Sequence, residues 1–385
     1  MEQYNLQMPH SVYAGRQTLS RLPIILEQNR VKKPVVFTDK GVRGAGLLDM
    51  VLSQMPDEGK VAVVLDDLPS EPNYSQAQEL VDACRTAEAD FIIALGGGSV
   101  MDTAKLASIL MTDKYSVKDL LDSPLLTKKS CKTLMIPTTA GTGAEATPNA
   151  IVAVPERELK VGIVNSQMIP DYVILDPEMI KNLPRGIAAA TGLDALTHAI
   201  ECFTSNKANP FSDLFALQAL DMILNNIEKA CKDPEAIDAK EKMLIASFYG
   251  GVAITASGTT AVHALSYPLG GKYHIAHGIS NAILLVPVMK FNEPTCRERF
   301  AAVYDRCAHE ESLDISVEEK SAYIIDWLEK ICERLDIPTS LKEFGVTYKD
   351  LDTLVDAGMQ VTRLLVNNMR KITSEDARRI YQQIL

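Results

Sequence analysis

Along the first half of the chain, short runs of β-branched and aliphatic residues recur between stretches with helical spacing of apolar positions. The runs at 35–38, 61–65, 91–95, 133–136 and 172–175 are nearly continuous in apolar residues, as expected of strands covered on both faces in a parallel sheet. Between them, 75–87 and 100–111 carry the helical period, giving repeated βα units. The pair 151–154 and 160–164, joined by Pro155-Glu156-Arg157-Glu158, predicts a hairpin appended to that sheet.

After Pro184 the strand pattern stops. Segments 187–205, 211–229, 239–257, 317–335 and 374–385 space their apolar residues as helices do. Leu183-Pro184-Arg185-Gly186 separates the two patterns and marks the expected boundary. The reading is an α/β domain over 1–185, a Rossmann-like parallel sheet with helices, followed by an all-α domain over 186–385. A length of 385 residues accommodates both.

Composition narrows the function classes. A formal charge of −11 and the absence of any long Lys/Arg run disfavour nonspecific binding to nucleic acid or to an anionic membrane. Met1-Glu2-Gln3-Tyr4-Asn5-Leu6 lacks the basic-then-apolar layout of a secretory signal. The apolar stretch 282–289 is too short to span a bilayer. Seven cysteines stand singly, with no C-x-x-C pair, so reduced thiols in a cytoplasmic protein are expected.

Directly after the 91–95 strand comes Gly96-Gly97-Gly98-Ser99, followed by a helix opening Val100-Met101-Asp102. Glycines there let the backbone approach a pyrophosphate, and the helix N-terminus offers free N–H groups to it. The spacing matches neither the G-x-G-x-x-G fingerprint nor the Walker loop, and a glycine run of this kind also serves as a plain tight turn. A second loop, Pro137-Thr138-Thr139-Ala140-Gly141-Thr142-Gly143-Ala144-Glu145, follows another strand, and two such loops point to a dinucleotide. Asp39, at the end of the 35–38 strand, stands where a carboxylate could bind an adenosine ribose and repel a 2′-phosphate. The order of glycines and acid is the reverse of the usual one, and a turn residue before Gly41 would look the same.

In the helical half, Asp194 and His198 are four residues apart and leave one helix face. His263 and His277 bracket a glycine-punctuated stretch containing Gly270-Gly271. One carboxylate and three imidazoles suit Fe²⁺ or Zn²⁺ better than Ca²⁺ or Mg²⁺. An Asp/His pair at this spacing also serves as a helix-surface hydrogen bond, and His263 among apolar neighbours also serves as a core histidine.

Taken together, these motifs resemble the iron-containing (group III) alcohol dehydrogenase family nearly end to end. The resemblance is carried by Gly96-Gly97-Gly98-Ser99-Val100-Met101-Asp102, by the 137–145 threonine loop, and by Ala190-Thr191-Gly192-Leu193-Asp194-Ala195-Leu196-Thr197-His198-Ala199-Ile200-Glu201. It is completed by His263-Ala264-Leu265-Ser266-Tyr267-Pro268-Leu269-Gly270-Gly271-Lys272-Tyr273-His274-Ile275-Ala276-His277-Gly278. It implies a dehydroquinate synthase-like architecture, with a dinucleotide domain, a helical metal domain and a cleft between them. The implied metal ligands are Asp194, His198, His263 and His277, holding Fe²⁺ with Zn²⁺ as the alternative.

The pyrophosphate of NAD is implied at Gly97, Gly98 and Ser99, with Thr138, Thr139 and Thr142 on the second loop and Asp39 on the ribose. Asn73, Asp102, Thr147, Asn149 and Lys160 match further cofactor-lining positions. The implied reaction is hydride transfer between NAD(H) and a small primary alcohol or aldehyde, in a homodimer or larger homo-oligomer. Ile254 and Thr362-Arg363-Leu364-Leu365 are expected near the substrate.

The chain departs from the family pattern where many members carry a second histidine four residues after the third ligand, since Tyr267 stands there. A phenol relays protons less readily than imidazole at neutral pH, which leaves Tyr267 and His274 as the two relay candidates. Three other readings compete. A metal-independent reductase of the maleylacetate reductase type would lack a complete ligand set. A lyase of the dehydroquinate synthase type would need more cations than the single Lys272 between 254 and 286. A catalytically silent metal- or nucleotide-binding protein would not oxidise NADH with an aldehyde.

Overall fold

The computed structural model describes residues 3–56, 63–157, 159–309 and 314–385. The chain forms two compact units, Gln7–Leu183 and Pro184–Leu385, the latter joined by residues 3–6.

The first unit is built on a six-stranded parallel sheet. Its strands are β1 (Ser11–Ala14), β2 (Pro34–Phe37), β3 (Val63–Leu65), β4 (Phe91–Gly96), β5 (Lys132–Pro137) and β8 (Tyr172–Leu175), in the order β1-β8-β5-β4-β2-β3. Every residue of β2 and β4 is buried, as the continuous apolar runs require of strands packed on both faces. Residues 61 and 62 of the expected third strand, and Glu158 of the hairpin connection, lie outside the described residues. β1 carried no legible signal, since it is a four-residue edge strand with no buried position.

The hairpin forms, from β6 (Asn149–Val154) and β7 (Leu159–Val164), but as a separate antiparallel two-stranded sheet rather than an extension of the large one. Its burial explains the difference. β6 alternates buried and part-exposed residues, the mark of a one-sided ribbon, whereas the central parallel strands β2 and β4 are buried on both sides.

β4 and β5 are neighbours in register, with Gly96 paired to Pro137. The glycine and threonine loops therefore leave the same carboxyl edge of the sheet side by side, and β2, which ends just before Asp39, borders β4 on its other side. This is where open α/β sheets place ligands.

The second unit is helical among its described residues. Its long helices are Arg185–Phe203, Pro210–Leu224, Ile237–Ala256, Ala261–Tyr273, His277–Cys307 and Val317–Arg334. The single helix expected over 211–229 is broken, resuming as Ile227–Lys232. Asn225 and Asn226 turn their side-chain amides back onto the Asp221 and Met222 carbonyls at 2.9 and 2.7 Å, competing with the backbone ladder.

Helices Ala261–Tyr273 and His277–Cys307 lacked an amphipathic signature because all ten residues from Ala261 to Gly270 are buried and the second helix carries Pro287 and Pro294. The turn between them is made by His274 in the left-handed region, φ 55°. Immediately after His277, Gly278 presses on the Arg185–Phe203 helix so closely that a Cβ would stand 2.3 Å from the Ala190 carbonyl oxygen. Ala190 lies one turn before Asp194, so this contact fixes the distance between Asp194 and His277.

Candidate functional site

In the first unit the two loops interlock. A Cβ on Gly98 would come within 2.9 Å of the Thr142 side chain, so bare backbone is needed at that position, whereas one on Gly97 would meet Thr139 Oγ1 at an ordinary contact distance of 3.5 Å. Gly97 is the N-cap of the Gly98–Leu110 helix and provides no side-chain cap, which leaves its first N–H groups for an anion. The Thr138 amide donates to the Gly96 carbonyl at 3.0 Å, and Ser99 Oγ accepts from the Glu71 amide at 3.2 Å.

Beneath the loops lies Lys105, fully buried. Its ammonium pairs with Asp102 at 2.8 Å and donates to the Ala144 and Asn149 carbonyls and, at 3.3 Å, to Thr147 Oγ1. The other Asp102 oxygen accepts from the Ile151 amide at 2.9 Å. Asp102, Thr147 and Asn149 are thus held by Lys105, which ties the glycine-loop helix to the threonine loop and the hairpin. Glu145 is buried beside this cation, one of its oxygens has no hydrogen-bond partner among the described residues, and burial pushes its carboxyl up to about 7.

Asp39 accepts from the Val42 amide at 2.9 Å and caps the short helix Lys40–Gly44, so it serves as a turn residue whatever else it binds. Asn73 caps the Tyr74–Thr86 helix, and Lys160 is paired with Glu71 at 2.6 Å.

In the second unit, Asp194 Oδ1 lies 3.8 Å from His198 Nε2, 3.8 Å from His263 Nε2 and 3.7 Å from His277 Nε2. Ligand atoms of Asp194, His263 and His277 all fall within 4.8 Å of one another. His198 flanks this trio and stacks on His263 with ring centroids 4.6 Å apart.

A tetrahedral ion with bonds of about 2.1 Å needs donors about 3.4 Å apart; the three contacts to Asp194 lie a few tenths of an ångström above that, and His198 would have to draw in toward the trio to complete the set. Burial pushes the Asp194 carboxyl up, but the three imidazoles and the Asn281 amide more than compensate, and it is held below the ordinary carboxylate range. Positive charge is what this buried carboxylate requires, and the donors fit Fe²⁺ or Zn²⁺.

Sequence reasoning did not single out the groups that orient these donors. Glu201 is fully buried and accepts from Thr260 Oγ1 at 2.7 Å, from the Val262 amide at 2.6 Å and from His263 Nδ1 at 2.5 Å. A carboxylate only accepts, so the His263 proton must sit on Nδ1, leaving the Nε2 lone pair facing Asp194. Asn281, one helical turn after His277, donates to Asp194 Oδ1 at 2.7 Å. Both were signalled, Glu201 as a charge in an otherwise apolar helix stretch and Asn281 by its spacing from His277.

Tyr267, one turn after His263, is buried with its ring 6.3 Å from that of His277. Burial raises its phenol above the ordinary range, and Arg363 beside its hydroxyl only partly opposes this. His274 is exposed and ends its helix. Leu364 packs in a buried cluster with Ala264 and Tyr267, bordered by Val361 and Leu365, so the 361–365 segment lies against the His263 helix. Ile254 is partly buried on the Ile237–Ala256 helix.

Compared with known proteins, residues 9–177 match the iron-containing alcohol dehydrogenase family, and residues 188–385 match its C-terminal region. The chain belongs to that family. It is 34% identical over 377 residues to long-chain-alcohol dehydrogenase 1 of Geobacillus thermodenitrificans strain NG80-2, covering 97% of this chain and 95% of the relative. It is 30% identical over 381 residues to an NAD-dependent methanol dehydrogenase of Bacillus methanolicus, covering 99% and 100%. The solved structure of a 1,3-propanediol oxidoreductase superposes with a TM-score of 0.94 at 27% identity, covering all of both chains. The substrates in these three names run from methanol to long-chain alcohols, so membership fixes the chemistry more tightly than the substrate.

Proposed function

We propose that this chain is a metal-dependent alcohol dehydrogenase, or aldehyde reductase in the reverse direction, which moves a hydride between NAD(H) and a small primary alcohol or its aldehyde. The observation that carries the reading is the convergence of three imidazole nitrogens on one oxygen of buried Asp194, 3.7 to 3.8 Å away. Asp194, His198, His263 and His277 would hold Fe²⁺ or Zn²⁺, and the bound ion would supply the Lewis acidity that polarises a substrate oxygen. Glu201 and Asn281 hold the donors in place; Asp194, His198 and His263 are buried, and His277 is part-exposed.

The first unit takes NAD(H) in this reading. Gly97, Gly98 and Ser99 accommodate the pyrophosphate, Thr138, Thr139 and Thr142 contribute hydroxyls, and Asp39 faces the ribose. Asn73, Asp102, Thr147, Asn149 and Lys160 shape the surroundings, and Asp102, Thr147 and Asn149 do so through Lys105. The division of labour follows 1–185 and 186–385. The NAD-dependent relative supports the choice of nicotinamide. A metal-independent reductase would have no use for the intact donor set, and a lyase acting on a polyanion is not favoured by any cluster of cations.

The cysteines are free thiols, and no described helix is long and apolar enough to cross a membrane. Both facts accord with a cytoplasmic enzyme, and a homodimer or larger homo-oligomer is inferred from the family resemblance. The deciding experiment is NADH oxidation over short aldehydes and ketones, run anaerobically with Fe²⁺, Zn²⁺ or chelator. Metal-dependent turnover is expected, and rates untouched by chelation, or no oxidation with any carbonyl compound, would overturn the reading.

A further inference from the structure

We propose that Glu71 is a positioning residue of the cofactor site. Its carboxylate holds the Lys160 ammonium beside the glycine loop, so that the cation is in place before the phosphate and ribose oxygens of NAD(H) arrive. The inference rests on the dehydrogenase reading and adds to it a residue that belongs to neither loop motif.

Glu71 stands where three pieces of the first unit meet. Its amide donates to Ser99 Oγ at 3.2 Å, so it abuts the residue that closes the Gly96-Gly97-Gly98-Ser99 run. The next residue, Pro72, accepts from the Ala153 amide at 3.0 Å, and Asn73 forms a parallel bridge with Ala153. Ala153 is in turn the cross-strand partner of Lys160 in the β6–β7 hairpin. The hairpin is thereby docked in the register that lets Lys160 reach back to Glu71, 2.6 Å from ammonium to carboxylate.

Two features distinguish this contact from a surface ion pair. The Lys160 side chain is only 8% exposed, against 32% for Glu71, so a long and flexible cation is the more enclosed partner. Glu71 itself has φ 53°, a left-handed conformation uncommon for a residue with a Cβ. Such conformations persist only where the surrounding fold enforces them, and they gather at ligand clamps.

The hydrogen bonds leave donors unused. An ammonium has three donors and no acceptor, so Glu71 leaves Lys160 with two. Ser99 Oγ accepts from Glu71, and its own proton has no acceptor among the described residues. Both therefore offer donors to an oxygen-rich ligand next to the uncapped helix start at Gly97. An enclosed ammonium deprived of its counter-charge is disfavoured where it stands and would swing toward water. Ordering it again on binding would cost affinity.

The test is NADH binding by the metal-loaded enzyme, followed by fluorescence titration without any aldehyde, so that turnover does not enter. Glu71→Gln keeps the reach and removes the charge. It is expected to raise the NADH dissociation constant about 3- to 10-fold, the cost of ordering one long side chain, and in steady state KM for NADH should rise by more than kcat falls. Lys160→Met should weaken binding at least as much, and in that background Glu71→Gln should have no further effect, a coupling that a merely structural role would not produce. Glu71→Asp should keep part of the affinity. Should Glu71→Gln fold poorly, Glu71→Gly removes the carboxylate while relieving the left-handed backbone, and it should show the same loss. Binding by Glu71→Gln as tight as wild type or tighter, no effect of Lys160→Met, or equal effects of Glu71→Gln with and without Lys160, would overturn the inference and leave the dehydrogenase reading standing. No binding of NADH by the wild type would sink both.

Discussion

The Glu201 carboxylate accepts a hydrogen bond from His263 Nδ1–H at 2.5 Å, and this one bond decides which lone pair His263 presents to Asp194. Through His263, Glu201 sets the basicity and orientation of the cluster. Glu201→Gln keeps the shape and removes the charge. Metal affinity is expected to fall about 10- to 100-fold, read by competition of the apoprotein with a chromophoric chelator. Affinity within twofold of wild type would remove Glu201 from this role.

Asp39 follows the strand that borders the glycine-loop strand in the sheet, and it caps a five-residue helix. Glycine replaces a capping aspartate at a cost of only a few tenths of a kcal/mol, so Asp39→Gly separates cap from cofactor. The NAD(H) over NADP(H) preference in kcat/KM should fall markedly while the melting temperature stays nearly constant. An unchanged ratio would take Asp39 out of the ribose site.

Glu145 gives the fold a pH dependence. Its folded value of about 7 lies above the ordinary 4.5, so the folded chain binds this proton more tightly than the unfolded one. Stability from that source is fully present below about pH 4.5 and is lost as pH rises through about 7, by about 3 kcal/mol in all. Glu145→Gln should flatten that part of the profile and be the more stable form at pH 8, as judged by denaturant unfolding of both proteins from pH 5 to pH 8. Parallel profiles would show that Glu145 ionises freely.

Much of this was legible beforehand, for reasons that differ from element to element. The buried runs at 91–95 and 133–136 announced β4 and β5 because a strand covered on both faces tolerates little else, and with them came the two loops and their shared edge. Asp194, His198, His263 and His277 stood out because imidazoles and a carboxylate are rare in apolar helices. The helix holding His263 did not, because burial on every side erases the amphipathic period. Lys105 and Glu145 were equally hidden, since their burial depends on a loop some forty residues away.

Gly278 lets the His277–Cys307 helix come close enough to the Asp194 helix for their donors to meet, and that proximity bears on how the unit holds together in time. Asp194 and His198 lie on one helix, while His263 and His277 are more than sixty residues further on, so no short segment contains the set. An ion seated among them would act as a clasp, closing long loops whose ends the unfolded chain keeps apart at an entropic cost. Loading with metal and completing the fold are then one event, and a chelator that empties the site would also loosen the helices that built it.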